Sequence, residues 1–279
     1  MPSVLVTGAA RGIGRATALR LAAAGWNVIA GVRRAEDGEE LAQAQPGRIS
    51  SVVLDITDEQ QVAALEQALP ARLDAVVNNA GVAVAGPLEA VAPAELRHQL
   101  DVNVVGQAAV TQAVLPRLRE SRGRIVFVSS VSGRVATPMF APYNASKFAL
   151  EGMADALRME LAPWGIRVVL IEPAQTDTDL WRKAEETLYE TVAAMAPHHR
   201  ELYAKHLEGA RKSIPRAARM AAPVDGVAKA IEKALTASRP RARYVVGANA
   251  RAQATLAALT PTAVLDRVLG MGLGVPRRA

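Results

Sequence analysis

Short apolar runs recur along the chain. They alternate with stretches in which apolar residues return every three or four positions. The runs lie at residues 3–7, 26–31, 49–54, 73–78, 123–129, 166–172 and 243–246. Each has the length of a strand buried on both faces. Helical spacing covers 13–24, 58–69, 93–120, 142–163 and 223–236, with a shorter polar helix over 36–44. Gly25 and Gly165 each stand just before a strand, where a glycine ends a helix. Strands alternating with helices predict an α/β fold with a seven-stranded parallel sheet flanked by helices.

Two stretches depart from that alternation. Residues 177–222 carry Trp181, Leu188, Tyr189, Met195 and Leu202 among many charges, and lie between the sixth strand and a late helix. An insertion there reads as a lid over a site. Residues 249–279 follow the last strand. Their leucines and valines fit one or two amphipathic helices, packed on the domain itself, on a second copy, or against a membrane surface. No apolar run reaches the ~18 residues of a membrane span. The first strand starts almost at once, which leaves no room for a leader peptide. There is no cysteine, so thiol catalysis and cysteine–metal sites are excluded. These features predict a cytoplasmic protein. Net charge is +6, but the arginines are dispersed and aromatics make up only 4% of residues, so nucleic acid is not expected as a partner. Arg239, Arg241 and Arg243 read as a solvated loop. His98, His198, His199 and His206 form no metal-ligand constellation with carboxylates, and no metal is expected.

The chemistry begins at the first turn. Thr7-Gly8-Ala9-Ala10-Arg11-Gly12-Ile13-Gly14 follows the strand Val4-Leu5-Val6 and opens a helix. Glycines permit a tight turn and close approach of a pyrophosphate, and the helix start offers unpaired N–H groups to it. This is the entry of a dinucleotide-binding unit. Such folds choose their dinucleotide at the end of the second strand, where an acid holds a free ribose and a base holds a 2′-phosphate. Here the acid's place is taken by Val32, followed by Arg33 and Arg34. A guanidinium binds phosphate through two parallel hydrogen bonds. Arg33 predicts NADP(H), and Arg11, inside the glycine turn, is a second basic group. Arg34 takes the role of Arg33 if the loop register differs.

A second constellation is Tyr143-Asn144-Ala145-Ser146-Lys147, with Ser130 thirteen residues earlier. Tyr143 and Lys147 share one helix face. A nearby ammonium lowers a phenol's pKa and fits it for proton transfer. Ser130 can hold a substrate oxygen beside them; Ser129 points to the opposite face if the strand end stays extended.

Taken together, these motifs resemble the short-chain dehydrogenase/reductase family over roughly residues 3–246. The resemblance implies a Rossmann-type doubly wound domain over 1–248, containing the lid 177–222, with 249–279 as its C-terminal helical extension. It implies catalytic roles for Asn103, Ser130, Tyr143 and Lys147. Asn103 would hold a water that links Lys147 to solvent. It places Asp55 and Ile56 at the adenine and Asn79-Ala80-Gly81 along the cofactor. Pro173, Thr176 and Thr178 fall at the nicotinamide, Thr178 against its carboxamide. Ala174 stands where the family has glycine, which raises the question of a backbone that alanine resists. Apolar Val131, Val135, Met139, Phe140 and Trp181 are expected to line the pocket and favour a hydrophobic carbonyl or alcohol. The segment from Tyr143 to Gly152 is similar to the steroid and retinol dehydrogenase branch. The resemblance further implies a homodimer or homotetramer formed through the helices 93–120 and 142–163. A cofactor-binding sensor and a membrane-associated scaffold are the alternative functions for such a fold.

Overall fold

The computed structural model describes residues 1–276, and within them all side chains except those of Leu180, Trp181 and Ala184. Seven strands form one parallel sheet: β1 Ser3–Thr7, β2 Asn27–Val32, β3 Ile49–Val53, β4 Ala75–Asn78, β5 Arg124–Val128, β6 Arg167–Pro173 and β7 Arg243–Val246. Their order across the sheet is β3-β2-β1-β4-β5-β6-β7. The helices between them are α1 Gly12–Ala23, α2 Ala35–Ala44, α3 Glu59–Ala68, α4 Pro93–Leu100, α5 Gln107–Ser121 and α6 Ala141–Glu160. After β6 come α7 Asp179–Arg182, α8 Ala184–Ala194, α9 Pro197–Leu202, α10 Ala204–Arg219 and α11 Val224–Thr236. Beyond β7 lie α12 Ala248–Leu259 and α13 Thr262–Gly272.

Every residue of β1 and β4 is buried. Successive side chains therefore feed two cores. Val4, Val6, Val126, Val128 and Ile171 meet α1 and α11 on one face. Leu5, Ile125, Phe127, Leu170 and Val76 meet α3, α5 and α6 on the other. The period-two pattern of a strand sorts apolar residues to both sides, which is why these runs are continuous. Gly25 and Gly165 take positive φ of 88° and 72°, the left-handed turn that ends a helix before a strand.

The stretch 93–120 is not one helix. A π-helical turn, Asp101–Gly106, separates α4 from α5. Such a turn bonds each N–H one residue further back than the α-helix does. Its close fit explains Gly106: a Cβ there would come within 2.7 Å of the Ile56 carbonyl. Beyond β7, α12 buries Ala250 and Ala254, whereas α13 buries no residue. Arg243 is not solvated, contrary to the sequence expectation. Its backbone pairs in β7 and its side chain enters an ion network with Glu151, Asp155 and Glu172.

No described helix is long and apolar enough to cross a membrane.

Candidate active site

Strand order reverses between β1 and β4, and the crevice beyond their C-terminal ends is where open α/β sheets bind ligands. Two tight connections shape it. The Thr7 hydroxyl accepts from the backbone N–H groups of Asn79 and Ala80 at 3.0 and 3.1 Å. Asn79 Nδ2 donates back to the carbonyls of Thr7 and Gly8 at 3.0 and 3.2 Å. The Gln107 side chain holds the Ala80 carbonyl at 2.8 Å. A Cβ on Gly8 would lie 2.9 Å from Ala80 Cα, and one on Gly14 would lie 2.2 Å from the Gly8 carbonyl oxygen. The glycine turn is thus folded hard against the end of β4.

The charge pattern of this turn suits an anion. Helix α1 starts at Gly12 with no side-chain cap and no acidic residue in its first turn. Ile13 packs against the core beneath it. Its first N–H groups and the positive end of its dipole are therefore uncompensated by the chain. Arg11, largely exposed, makes only a 3.5 Å contact with Asp179. Thr178 folds over the turn, its methyl 3.4 Å from where a Gly12 Cβ would stand.

At the end of β2 the two arginines differ. Arg34 is spent on Asp37 in a two-point contact of 2.7 and 3.1 Å. Arg33 is exposed and makes no hydrogen bond or ion pair among the described residues, although its charge is felt by Asp37 and Asp55. Asp55 is fixed by the Thr57 hydroxyl and backbone N–H at 2.7 and 2.9 Å, which hold its carboxyl below the usual range. Ile56 beside it is buried in the core.

The second half of the site sits at the end of β5 and on α6. Ser130 keeps extended backbone and caps the short 3-10 turn Val131–Gly133, its hydroxyl accepting from Ser132 N–H at 3.1 Å. Ser129 lies on the other side, 3.2 Å from where a Gly133 Cβ would stand. Tyr143 is the third residue of α6, half-buried, and close enough to Ser130 for a hydrogen bond between the two hydroxyls to favour the phenolate. Lys147 follows one turn later, buried, its ammonium donating to the Val128 carbonyl at 2.9 Å. It lies 5.7 Å from the centre of the Tyr143 ring. Asn103, on the π-helical turn, spends its side chain on both backbone groups of Val82 and on the Ser146 hydroxyl, at 2.9–3.0 Å.

Two expectations change here. Burial pushes the Tyr143 phenol up, and the Ser130 hydroxyl, rather than Lys147, is the group that opposes this. The Lys147 ammonium lies over the Tyr143 ring but spends its hydrogen bond on the strand end. Burial in turn brings Lys147 down to about 8, with Glu151 pulling the other way. Ala174 takes no positive φ among the described residues, so the strain that alanine would suffer there does not arise. It is Met139 that has the unusual backbone, at φ 69°. An unbranched side chain held in that region costs about 1–3 kcal/mol, and such strain gathers at ligand-binding segments. Its carbonyl accepts from Gly86 N–H at 2.7 Å, and Gly86 in turn meets Thr191 of α8. Met139 and Phe140 are half-buried at this mouth, while Val131 and Val135 are nearly covered. The Trp181 side chain lies outside the described residues. Pro173 ends β6, its carbonyl 3.4 Å from the Ser130 hydroxyl. Thr176 is buried and bridges to Ala222. Gly81 lies against Asn103, 3.3 Å from Oδ1 by the same Cβ measure.

The sequence reading missed Arg134, Glu151 and Glu172, which link the segments bearing Ser130, Lys147 and Pro173. The signal available was an acid inside an otherwise apolar strand, at Glu172.

Residues 2–188 match the short chain dehydrogenase family. The chain is 33% identical over 278 residues to NADPH-dependent 3-dehydrocapnine reductase of Ornithobacterium rhinotracheale, covering 96% of each chain. It is 34% identical to retinol dehydrogenase 5 of Mus musculus, covering 95% of this chain and 87% of that one. A short chain dehydrogenase from Burkholderia cenocepacia, crystallised in complex with NADP, superposes with a TM-score of 0.75 at 29% identity, covering 96% of this chain and 97% of that one. The chain therefore belongs to the short-chain dehydrogenase/reductase family of oxidoreductases, which bind a nicotinamide cofactor.

Proposed function

We propose that the protein is an NADP(H)-dependent reductase or dehydrogenase of a hydrophobic carbonyl or alcohol. The observation that carries this reading is the gathering of Ser130, Tyr143 and Lys147 beyond the strand ends, together with a glycine turn and, at the end of β2, an Arg33 unpaired among the described residues. The names of its relatives, an NADPH-dependent reductase and a retinol dehydrogenase, agree with it. The crevice fits the dinucleotide: a cradle that a Cβ would fill, an uncapped helix start and an unspent guanidinium. Thr7, Gly8, Arg11, Gly12, Ile13 and Gly14 would hold the pyrophosphate side. Arg33 would take the 2′-phosphate, Asp55 and Ile56 the adenine, and Asn79, Ala80 and Gly81 the intervening surface. Pro173, Thr176 and Thr178 would face the nicotinamide.

The bound cofactor supplies or accepts the hydride, and the chain supplies position and the proton. In the reducing direction the Ser130 hydroxyl donates to the carbonyl oxygen, and Tyr143 gives its phenolic proton to the same oxygen as charge develops. In the oxidising direction the phenolate takes the alcohol proton. Lys147 would hold the cofactor ribose and supplies the site's positive charge, and Asn103 anchors Ser146, its neighbour on α6, from the π-helical turn. Met139, Phe140 and the lid 177–222 shape the apolar side of the pocket. Exposed Val105, Phe148 and Met159 lie on the π-turn and on α6 and support self-association through this face as a dimer or tetramer.

The test is NADPH oxidation with a panel of lipophilic ketones and aldehydes, with NADH in parallel. Turnover with NADPH preferred is the expected result. Tight NADPH binding with neither carbonyl reduction nor alcohol oxidation would instead favour a sensor.

The pH profile follows from Lys147. Its folded value near 8 lies below that of a free lysine, so the ammonium is present below about pH 8 and is lost above it. kcat/KM for NADPH, which reports the free enzyme, is expected to fall as pH rises through about 8. A flat profile between pH 7 and 9 would remove the need for the Lys147 charge.

A further inference from the structure

Beneath the catalytic side chains lies an ion network that the proposed chemistry does not use. Glu172, next to last in β6, is completely buried. One of its oxygens accepts from Arg134 at 2.8 Å and lies 3.2 Å from Nε of Arg243. Arg243 opens β7 and reaches on to α6, to Glu151 at 3.0 Å and Asp155 at 2.6 Å. Arg134 directly follows the 3-10 turn that Ser130 caps. Glu151 stands one helical turn beyond Lys147. Turn and helix are in close contact: a Cβ on Gly133 would lie 2.8 Å from Glu151 Cγ and 3.0 Å from the Lys147 carbonyl oxygen.

Stability alone does not account for this arrangement. A buried ion pair carries a desolvation cost that well-packed apolar side chains avoid. This one is also incompletely satisfied. The second oxygens of Glu172 and Glu151 and the Ser129 hydroxyl are buried without a hydrogen-bond partner among the described residues. Burial and the charge of Glu151 push the Glu172 carboxyl up, and Arg134 and Arg243 oppose them. What the network does achieve is to cross-link three segments that share no backbone continuity. They carry Ser130, the Tyr143–Lys147 pair, and Pro173.

We infer that Glu172 is a positioning residue that acts through Arg134 and Arg243 to hold the Ser130 turn and the Tyr143 helix in reacting register at the end of β6. The inference rests on the oxidoreductase reading for its kinetic readout and stands apart from it in its spectroscopic one.

Arg134 is one-third exposed, and its loss leaves Glu172 paired with Arg243, so Arg134→Ala tests the link without stranding a buried charge. Glu172→Gln removes the charge in an amide of the same shape. In NADPH-loaded protein both variants are expected to lose about 10²-fold in kcat, the scale of an ångström-sized misplacement, with the KM for NADPH unchanged. Arg134→Lys is expected to restore part of the loss. In parallel, 13C-tyrosine NMR follows the Tyr143 signal, identified by its disappearance in Tyr143→Phe. That signal is expected to move in Arg134→Ala. A folded Arg134→Ala with wild-type kcat and an unmoved Tyr143 signal overturns the inference. A wild-type protein that binds NADPH but turns over no carbonyl overturns the oxidoreductase reading instead, and the NMR comparison still decides whether Arg134 positions Tyr143.

Discussion

Tyr143→Phe is expected to lower carbonyl turnover by about 10²–10⁴-fold, the range of a lost general acid, while NADPH binding persists. The substitution deletes one oxygen and keeps the ring, so it opens no cavity in the first turn of α6. The phenol is suited to the role by where it sits. It is half-buried, within reach of Ser130, and its pKa is pushed up by burial, so at neutral pH it carries the proton that reduction needs. Ser130→Ala should lose less, because it removes a donor to the substrate oxygen while the proton source stays. Cofactor binding, read by quenching of protein fluorescence, separates the two contributions: it should match wild type in both variants. If Tyr143→Phe retains turnover, the proton comes from elsewhere, and the grouping of Ser130, Tyr143 and Lys147 is structural.

The sheet was legible because a strand buried on both faces has to be apolar at nearly every position. The seven runs at 3–7 through 243–246 fall on β1 to β7 within a residue or two at most ends. The glycine turn was equally plain, since Gly8 and Gly14 stand where any Cβ would strike backbone. What the sequence could not convey was how long side chains are spent. Arg33 and Arg34 are adjacent and chemically identical, and only the fold shows that Asp37 occupies Arg34 and leaves Arg33 unspent. Arg243 read as loop charge because its partners, Glu151 and Glu172, are 92 and 71 residues away. The direction of the Tyr143 shift was missed for a similar reason. Helical spacing places Lys147 beside the phenol, but its ammonium prefers the Val128 carbonyl, a contact set by how α6 packs on β5. The π-helical turn was not anticipated, because the helical reading of 93–120 assumed one uninterrupted ladder.

The contrast between the two arginines leads to the second large effect. Arg33→Ala is expected to raise the KM for NADPH by about 10- to 100-fold, the equivalent of losing a charge-assisted hydrogen bond worth about 1.5–3 kcal/mol. The KM for NADH, which has no 2′-phosphate, should hardly change. Arg34→Ala is the control: its guanidinium already faces Asp37 at two points, so its removal should leave the NADPH-to-NADH preference near that of wild type. Arg33 is exposed, so its attraction for the phosphate is screened by salt. The wild-type preference for NADPH should therefore narrow as ionic strength rises, and in Arg33→Ala it should vary much less. Arg33→Asp goes further, because it places an acid where free ribose hydroxyls are bound and a phosphate is repelled. It should turn the preference toward NADH. Were Arg33→Ala to leave the preference unchanged while Arg34→Ala abolished it, the loop would have to release Arg34 from Asp37 on binding, and the register of β2's end, rather than the choice of dinucleotide, would be what this reading has wrong.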